Sequence, residues 1–244
     1  MADPLRTIAT NILADPAPIL LPDTCALLDI IRHPVRPHYD HRISRDAAVL
    51  VTRAQARQPR QLWIAAAFPT DIEWSRLHQS TTESTDKRIN EIEREIQQIS
   101  NTSIHLGGQA LQIPQMVGLT LPARLHAIAS SIYQEAHIIE VDPTASAKAT
   151  VRRLRGSPPV KKGTRDDRGA NDCEIFEHYL ALARLLRQES FQLPIIMVTS
   201  NTDDFGDPKS RANPVVQECT AAGLIYVTDF VWALHCLEGG NPPP

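Results

Sequence analysis

Short unbroken apolar runs alternate along this chain with longer stretches in which apolar residues recur every three or four positions. Ile19-Leu20-Leu21, Leu62 to Ala67, Ile195-Ile196-Met197-Val198 and Leu224 to Val227 are too short for membrane spans or amphipathic helices. They read as strands buried on both faces of a parallel sheet. Helical patterns lie between them: residues 24–31, residues 44–57, a helix opened by Pro69, residues 214–222 and residues 229–237. Another starts at Asn171-Asp172, with Ile175, Tyr179, Leu182 and Leu186 on its apolar face. This strand-then-helix order predicts an α/β chain in three layers, α/β/α, with a central parallel sheet.

The middle of the chain breaks that rhythm. Ile89, Ile92, Ile96 and Ile99 recur among Glu, Lys and Arg, and Leu121, Leu125, Ile128 and Ile132 do the same further on. The spacing predicts a helical insertion at about 75–140 whose two arms pack on each other, with the charge run 83–98 as its solvated face. Residues 156–170 are rich in Gly, Pro, Lys and Arg and read as a flexible basic loop, preceded by Arg152, Arg153 and Arg155. Residues 1–17 form a helical or loose lead-in, and residues 239–244 a disordered tail. The whole, residues 1–244, is expected to be one domain, a size within the single-domain range.

Composition narrows the class. The 42 % hydrophobic content is ordinary for a globular protein, and no apolar run approaches the roughly 20 residues that span a bilayer. The start, Met-Ala-Asp-Pro, lacks the layout of a secretory signal, so a cytoplasmic protein without membrane attachment is expected. Cys25, Cys173, Cys219 and Cys236 form no CxxC pair, which argues for reduced thiols rather than a zinc ribbon or a disulfide framework. A net charge of -3 gives no global pull toward nucleic acid, so any such affinity must come from a local basic patch. No Gly-rich phosphate loop speaks for a nucleotide cofactor, and no nucleophile-elbow glycines surround Ser200. His33, His38 and His41 lack a second ligand at zinc-like spacing and read as loop residues. For His178, two turns past Asp172, a surface role is expected.

Candidate chemistry sits at the junctions. Asp23 follows the first run, Glu73 and Asp71 lie in the helix after the second, Asp172 opens its helix, and Asn201, Asp203 and Asp204 follow the central run. Right-handed crossovers bring most such positions to one sheet edge, where ligands of open α/β folds bind. Oxygen-only donors favour a hard cation, Mg²⁺ or Mn²⁺, which can hold a phosphate and activate water. Each acid alone reads first as a helix cap or a turn residue, and it is the set that points to chemistry. Lys161 and Lys162 either contact phosphates of a bound strand or are solvated loop lysines.

Three segments together resemble the PIN-domain nucleases, and more closely the PIN-like group with a helical insertion. They are Leu21-Pro22-Asp23-Thr24-Cys25-Ala26-Leu27-Leu28, Asn171-Asp172-Cys173-Glu174-Ile175-Phe176-Glu177 and Val198-Thr199-Ser200-Asn201-Thr202-Asp203-Asp204-Phe205. The last, Thr-x-Asn-x-x-Asp-Phe after a buried strand, is the most specific. The resemblance implies a Mg²⁺- or Mn²⁺-dependent endoribonuclease with a toxin-like or defence role. Asp23, Asp172, Asp204 and Glu73 would be the catalytic metal ligands, with Asp71 the rival of Glu73. Asn201, Asp203 and Thr199 would support the site, and Lys161 and Lys162 would touch the RNA. An inhibitor protein or a second copy of the chain would be further partners. The chain departs from many such nucleases at Asn201, where an aspartate often stands, which leaves open a catalytically impaired RNA- or protein-binding module.

Overall fold

A computed structural model describes residues 2–37, 40–110, 120–160 and 169–241. Six strands form one sheet in the order β1-β4-β3-β2-β5-β6, and every pairing is parallel. The strands are β1 (Ala2–Asp3), β2 (Ile19–Pro22), β3 (Trp63–Ala67), β4 (Ala136–Ile139), β5 (Ile195–Val198) and β6 (Ile225–Val227). The helices are α1 (Leu5–Ala14), α2 (Thr24–Arg32), α3 (Arg42–Gln55), α4 (Phe68–His105), α5 (Leu121–Gln134), α6 (Pro143–Arg155), α7 (Ala170–Gln188), α8 (Thr202–Phe205), α9 (Pro214–Ala222) and α10 (Phe230–Leu237), with a 3-10 turn at His33–Val35.

Strand alternation builds the layers. Ile19 and Leu21 of β2, with Ile195 and Met197 of β5, join Ile8 and Ile12 of α1, Phe176 and Leu182 of α7 and Val215 of α9 in one core. Leu20, Ile196 and Val198 face the other way, into a second core with Leu27 and Ile31 of α2, Leu50 of α3, Ile132 of α5 and Phe230 of α10. Helices thus cover both faces, as an all-parallel sheet requires, and the predicted three-layer α/β/α class is what the chain adopts. No helix among the described residues is long and apolar enough to cross a membrane.

The strand order places the ligand crevice. From β2 the chain winds outward through β3 to β4, then returns to the opposite side of β2 as β5 and winds outward to β6. The carboxyl ends of β2 and β5 flank the point where the winding reverses, and ligands of open α/β sheets bind there.

The stretch expected as an insertion is more integrated than its pattern suggests. Helix α4 runs unbroken for 38 residues, about 57 Å, from directly after β3. The stripe Leu121, Leu125, Ile128 and Ile132 forms the buried side of α5, and Leu125, Ala129 and Ile132 are fully covered. Residues 136–139 are β4, a strand of the main sheet, so the range 75–140 overreaches at its end. Only the distal part of α4 has the expected solvated character, with Ile99 and Ile104 exposed. Helix α6 and β1, a two-residue edge pair, complete the fold beyond the elements that the apolar pattern predicts.

Candidate functional site

The acid cluster begins with Asp23. Its backbone N–H donates to the Val198 carbonyl at 2.9 Å, extending the β2–β5 ladder by one residue. Although Asp23 holds the N-cap position of α2, its side chain makes no capping hydrogen bond. Instead Oδ2 accepts from the Thr199 hydroxyl at 2.7 Å, while Oδ1 is buried without a partner. Burial pushes the Asp23 carboxyl up to about 6 against the lowering bond from Thr199, and the Glu73 charge pushes the same way. Thr199 is itself fully buried and ties β6 to β5 through a 3.1 Å bond from its N–H to the Val227 carbonyl.

Asp172 comes from the first turn of α7, whose N-cap is Gly169, so it is no cap either. Its Oδ2 accepts a long 3.4 Å bond from the Asn201 amide, which also donates to Asp204 Oδ2 at 2.8 Å. Burial and then the charges of Asp23, Asp204 and Glu73 push Asp172 up to about 8. Asp204 Oδ1, like Asp23 Oδ1, is buried and unpartnered. Glu73 accepts from the Asn171 amide at 2.6 Å. Its rival Asp71 accepts from the Tyr133 hydroxyl instead, so Glu73 is the α4 acid that faces this group. Asp203 is exposed. Lys161 and Lys162 lie outside the described residues.

The donor set suits a hard cation. It is all oxygen, two of its buried carboxylate oxygens are unused, and its charges repel one another. Among the described residues no three His, Cys, Asp or Glu side chains form a ready-made cage. The Asn201 amide stands between Asp172 and Asp204 and donates to one oxygen of each. Mg²⁺ is commonly held by one or two carboxylates and several waters, so a closed cage is not required.

In the sequence Tyr179 reads only as part of an apolar face. Completely buried, its hydroxyl donates to the Pro22 carbonyl at 2.6 Å and accepts from the Ala67 N–H at 3.4 Å. It lies seven residues after Asp172, two helical turns on the same side of α7, and so fixes that helix against the ends of β2 and β3, from which Asp23 and Glu73 depart. Tyr179→Phe keeps the ring but strands two buried backbone groups. A loss of about 1–3 kcal/mol in urea unfolding is expected.

One sequence expectation changes. His178 is buried, not superficial: its Nε2 accepts from the Asp142 N–H at 2.9 Å and its Nδ1 bonds the Glu174 carbonyl at 2.7 Å, so it anchors the start of α6. Arg152, which precedes the basic loop in the chain, is taken up by two acids. It is buried, donates to Glu177 at 2.6 Å and to Glu218 at 2.5 Å, and covers the Phe176 ring. The cavity of about 490 Å³ beside it, lined also by Lys148 and Arg155, includes none of the four acids.

No family model, no curated protein and no solved structure matches the chain.

Proposed function

We propose that the chain is a divalent-metal-dependent endoribonuclease of the PIN type, hydrolysing RNA phosphodiester bonds at the acid cluster. The observation that carries this reading is the meeting of Asp23, Glu73, Asp172 and Asp204 at the winding reversal, close enough that the charges of the other three add to burial in raising Asp172 to about 8. Acids held together against their own repulsion, with unpartnered oxygens, call for a cation.

In this reading Asp23, Asp172 and Asp204 hold Mg²⁺ or Mn²⁺, with Glu73 nearest the open side. The bound ion would supply a water of lowered pKa and neutralise charge at the phosphate. Thr199 keeps Asp23 oriented by occupying one of its oxygens. Asn201 can rotate its amide so that the oxygen, rather than the nitrogen, faces the ion. Glu73 is only partly buried and bonded to the exposed Asn171, which suits it to receive a proton from an attacking water. Lys161 and Lys162 would contact the strand. A cytoplasmic setting agrees with four free cysteines. A toxin-like role, with an inhibitor protein or a second copy as partner, belongs to the same proposal.

The bridging Asn201 favours one second reading, an impaired site that binds RNA or protein without cutting. Divalent-ion binding separates the two. Mn²⁺ titration of the chelator-treated chain, followed by water-proton relaxation, should show one site that Asp23→Asn and Asp172→Asn each weaken at least tenfold. Wild-type protein that binds no Mn²⁺ would rule out the nuclease reading.

A further inference from the structure

Helices α4 and α5 meet in an aromatic cluster that the proposed reaction does not use. Trp74, only 3 % exposed, stacks on Tyr133, His78 and His126, with ring centroids 5.4, 5.2 and 6.3 Å away and interplanar angles of 27°, 20° and 14°. Tyr133 is pinned in turn by its bond to Asp71. With both imidazole planes held nearly parallel to the indole, Nδ1 of His78 and Nε2 of His126 face each other at 2.9 Å. Two neutral rings can make this contact only if one carries the proton that the other accepts.

The two rings meet nearly end to end, with centroids 5.1 Å apart, and a small turn of each toward one side lets the pair hold a metal ion instead of sharing that proton. An ion about 2.0–2.1 Å from both nitrogens would see them at roughly a right angle, the cis positions of an octahedral or tetragonal centre. Separating the rings by about 0.4 Å gives the tetrahedral angle at the same bond length. The Ser130 hydroxyl lies 3.4 Å from the same His126 nitrogen, on hand as a third, neutral contact. Both histidines are part-exposed, so an ion can enter and keep waters. Burial and the neighbouring His78 hold His126 toward its neutral form, the form that ligates.

We infer that His78 and His126 form a two-imidazole site for one divalent late transition-metal ion, Ni²⁺, Cu²⁺ or Zn²⁺, that clips α4 to α5. Nitrogen donors set it apart from the acid cluster, because imidazole selects these ions whereas carboxylates suit Mg²⁺ and Mn²⁺. No third His, Cys, Asp or Glu joins the pair among the described residues, so the site is open and exchangeable, unlike a four-ligand structural zinc site.

The test uses the untagged full chain carrying Asp172→Asn, which disables the acid cluster, stripped with chelator and titrated with Ni²⁺. Stoichiometry is read by equilibrium dialysis and stability by thermal unfolding. One tightest-bound Ni²⁺ per chain and a Tm that rises with Ni²⁺ but not with Mg²⁺ are expected. His78→Gln and His126→Gln, which keep a hydrogen-bonding amide at the contact, should each weaken that ion at least tenfold and abolish the Tm rise. The proposal is overturned if Ni²⁺ leaves Tm unchanged, or if the glutamine variants bind and respond as the parent does. The pair would then be a hydrogen-bonded helix contact only.

Discussion

Asp172→Asn should stabilise the metal-free protein at pH 8. The Asp172 carboxyl titrates near 8 when folded, against an ordinary value of 3.8, because burial and three neighbouring acids disfavour its charge. Between those pH values the folded protein holds a proton that the unfolded chain has released, so stability falls as pH rises. Asp23, raised to about 6, adds to the fall in the lower part of the window. An amide at position 172 carries no charge to bury, and Asn201 can still face it. With chelator present, the variant should exceed wild type by an amount on the order of a few kcal/mol at pH 8, and the gap should close below pH 4. Urea midpoints at pH 4, 6 and 8 measure it. Equal pH slopes for the two proteins would mean that the four acids do not interact as described.

Arg152→Ala should be among the most damaging single changes. The guanidinium is 8 % exposed, bonds Glu177 through Nε at 2.9 Å and Nη2 at 2.6 Å, and also holds Glu218 and the Pro158 carbonyl. Its removal leaves Glu177, 5 % exposed, as an uncompensated buried charge between α6, α7 and α9. Losses of about 3–5 kcal/mol follow from breaking such a pair. The double variant Arg152→Met with Glu177→Leu removes both charges and should recover most of that loss. Guanidinium unfolding of the three proteins reads both effects. A single variant as stable as wild type would show that the buried pair contributes nothing.

The sequence made the central layers legible because buried parallel strands are unbroken apolar runs. β2, β3, β5 and β6 were found that way, each followed by its helix. Strand β4 escaped because Ala136 and His137 are only half-buried and Glu135 and Glu140 flank it, so that it looks like the end of a charged helix. Helix α6 escaped because its buried side is Ala145, Ala149 and the stem of Arg152, a stripe too slight to register as hydrophobic. The acids were legible as strand-end junctions, but their supports were not. Tyr179 looked like core, and nothing in a single sequence distinguishes a buried tyrosine that packs from one that holds two strand ends. The choice between Asp71 and Glu73 needed the position of Tyr133, sixty-two residues away in the chain. Arg152 looked like part of a basic patch because its partners Glu177 and Glu218 lie on other helices.

We propose that Asp23, Glu73, Asp172 and Asp204 form one catalytic metal site. The most direct measurement is cleavage of a mixed pool of labelled RNAs in Mn²⁺ or Mg²⁺ by wild type, Asp23→Asn and Asp172→Asn, with a chelator control. Metal-dependent cutting is expected, lost by at least about a thousandfold in each variant. Folded wild-type protein that leaves every RNA intact with either metal, or cutting that survives both substitutions, would contradict it.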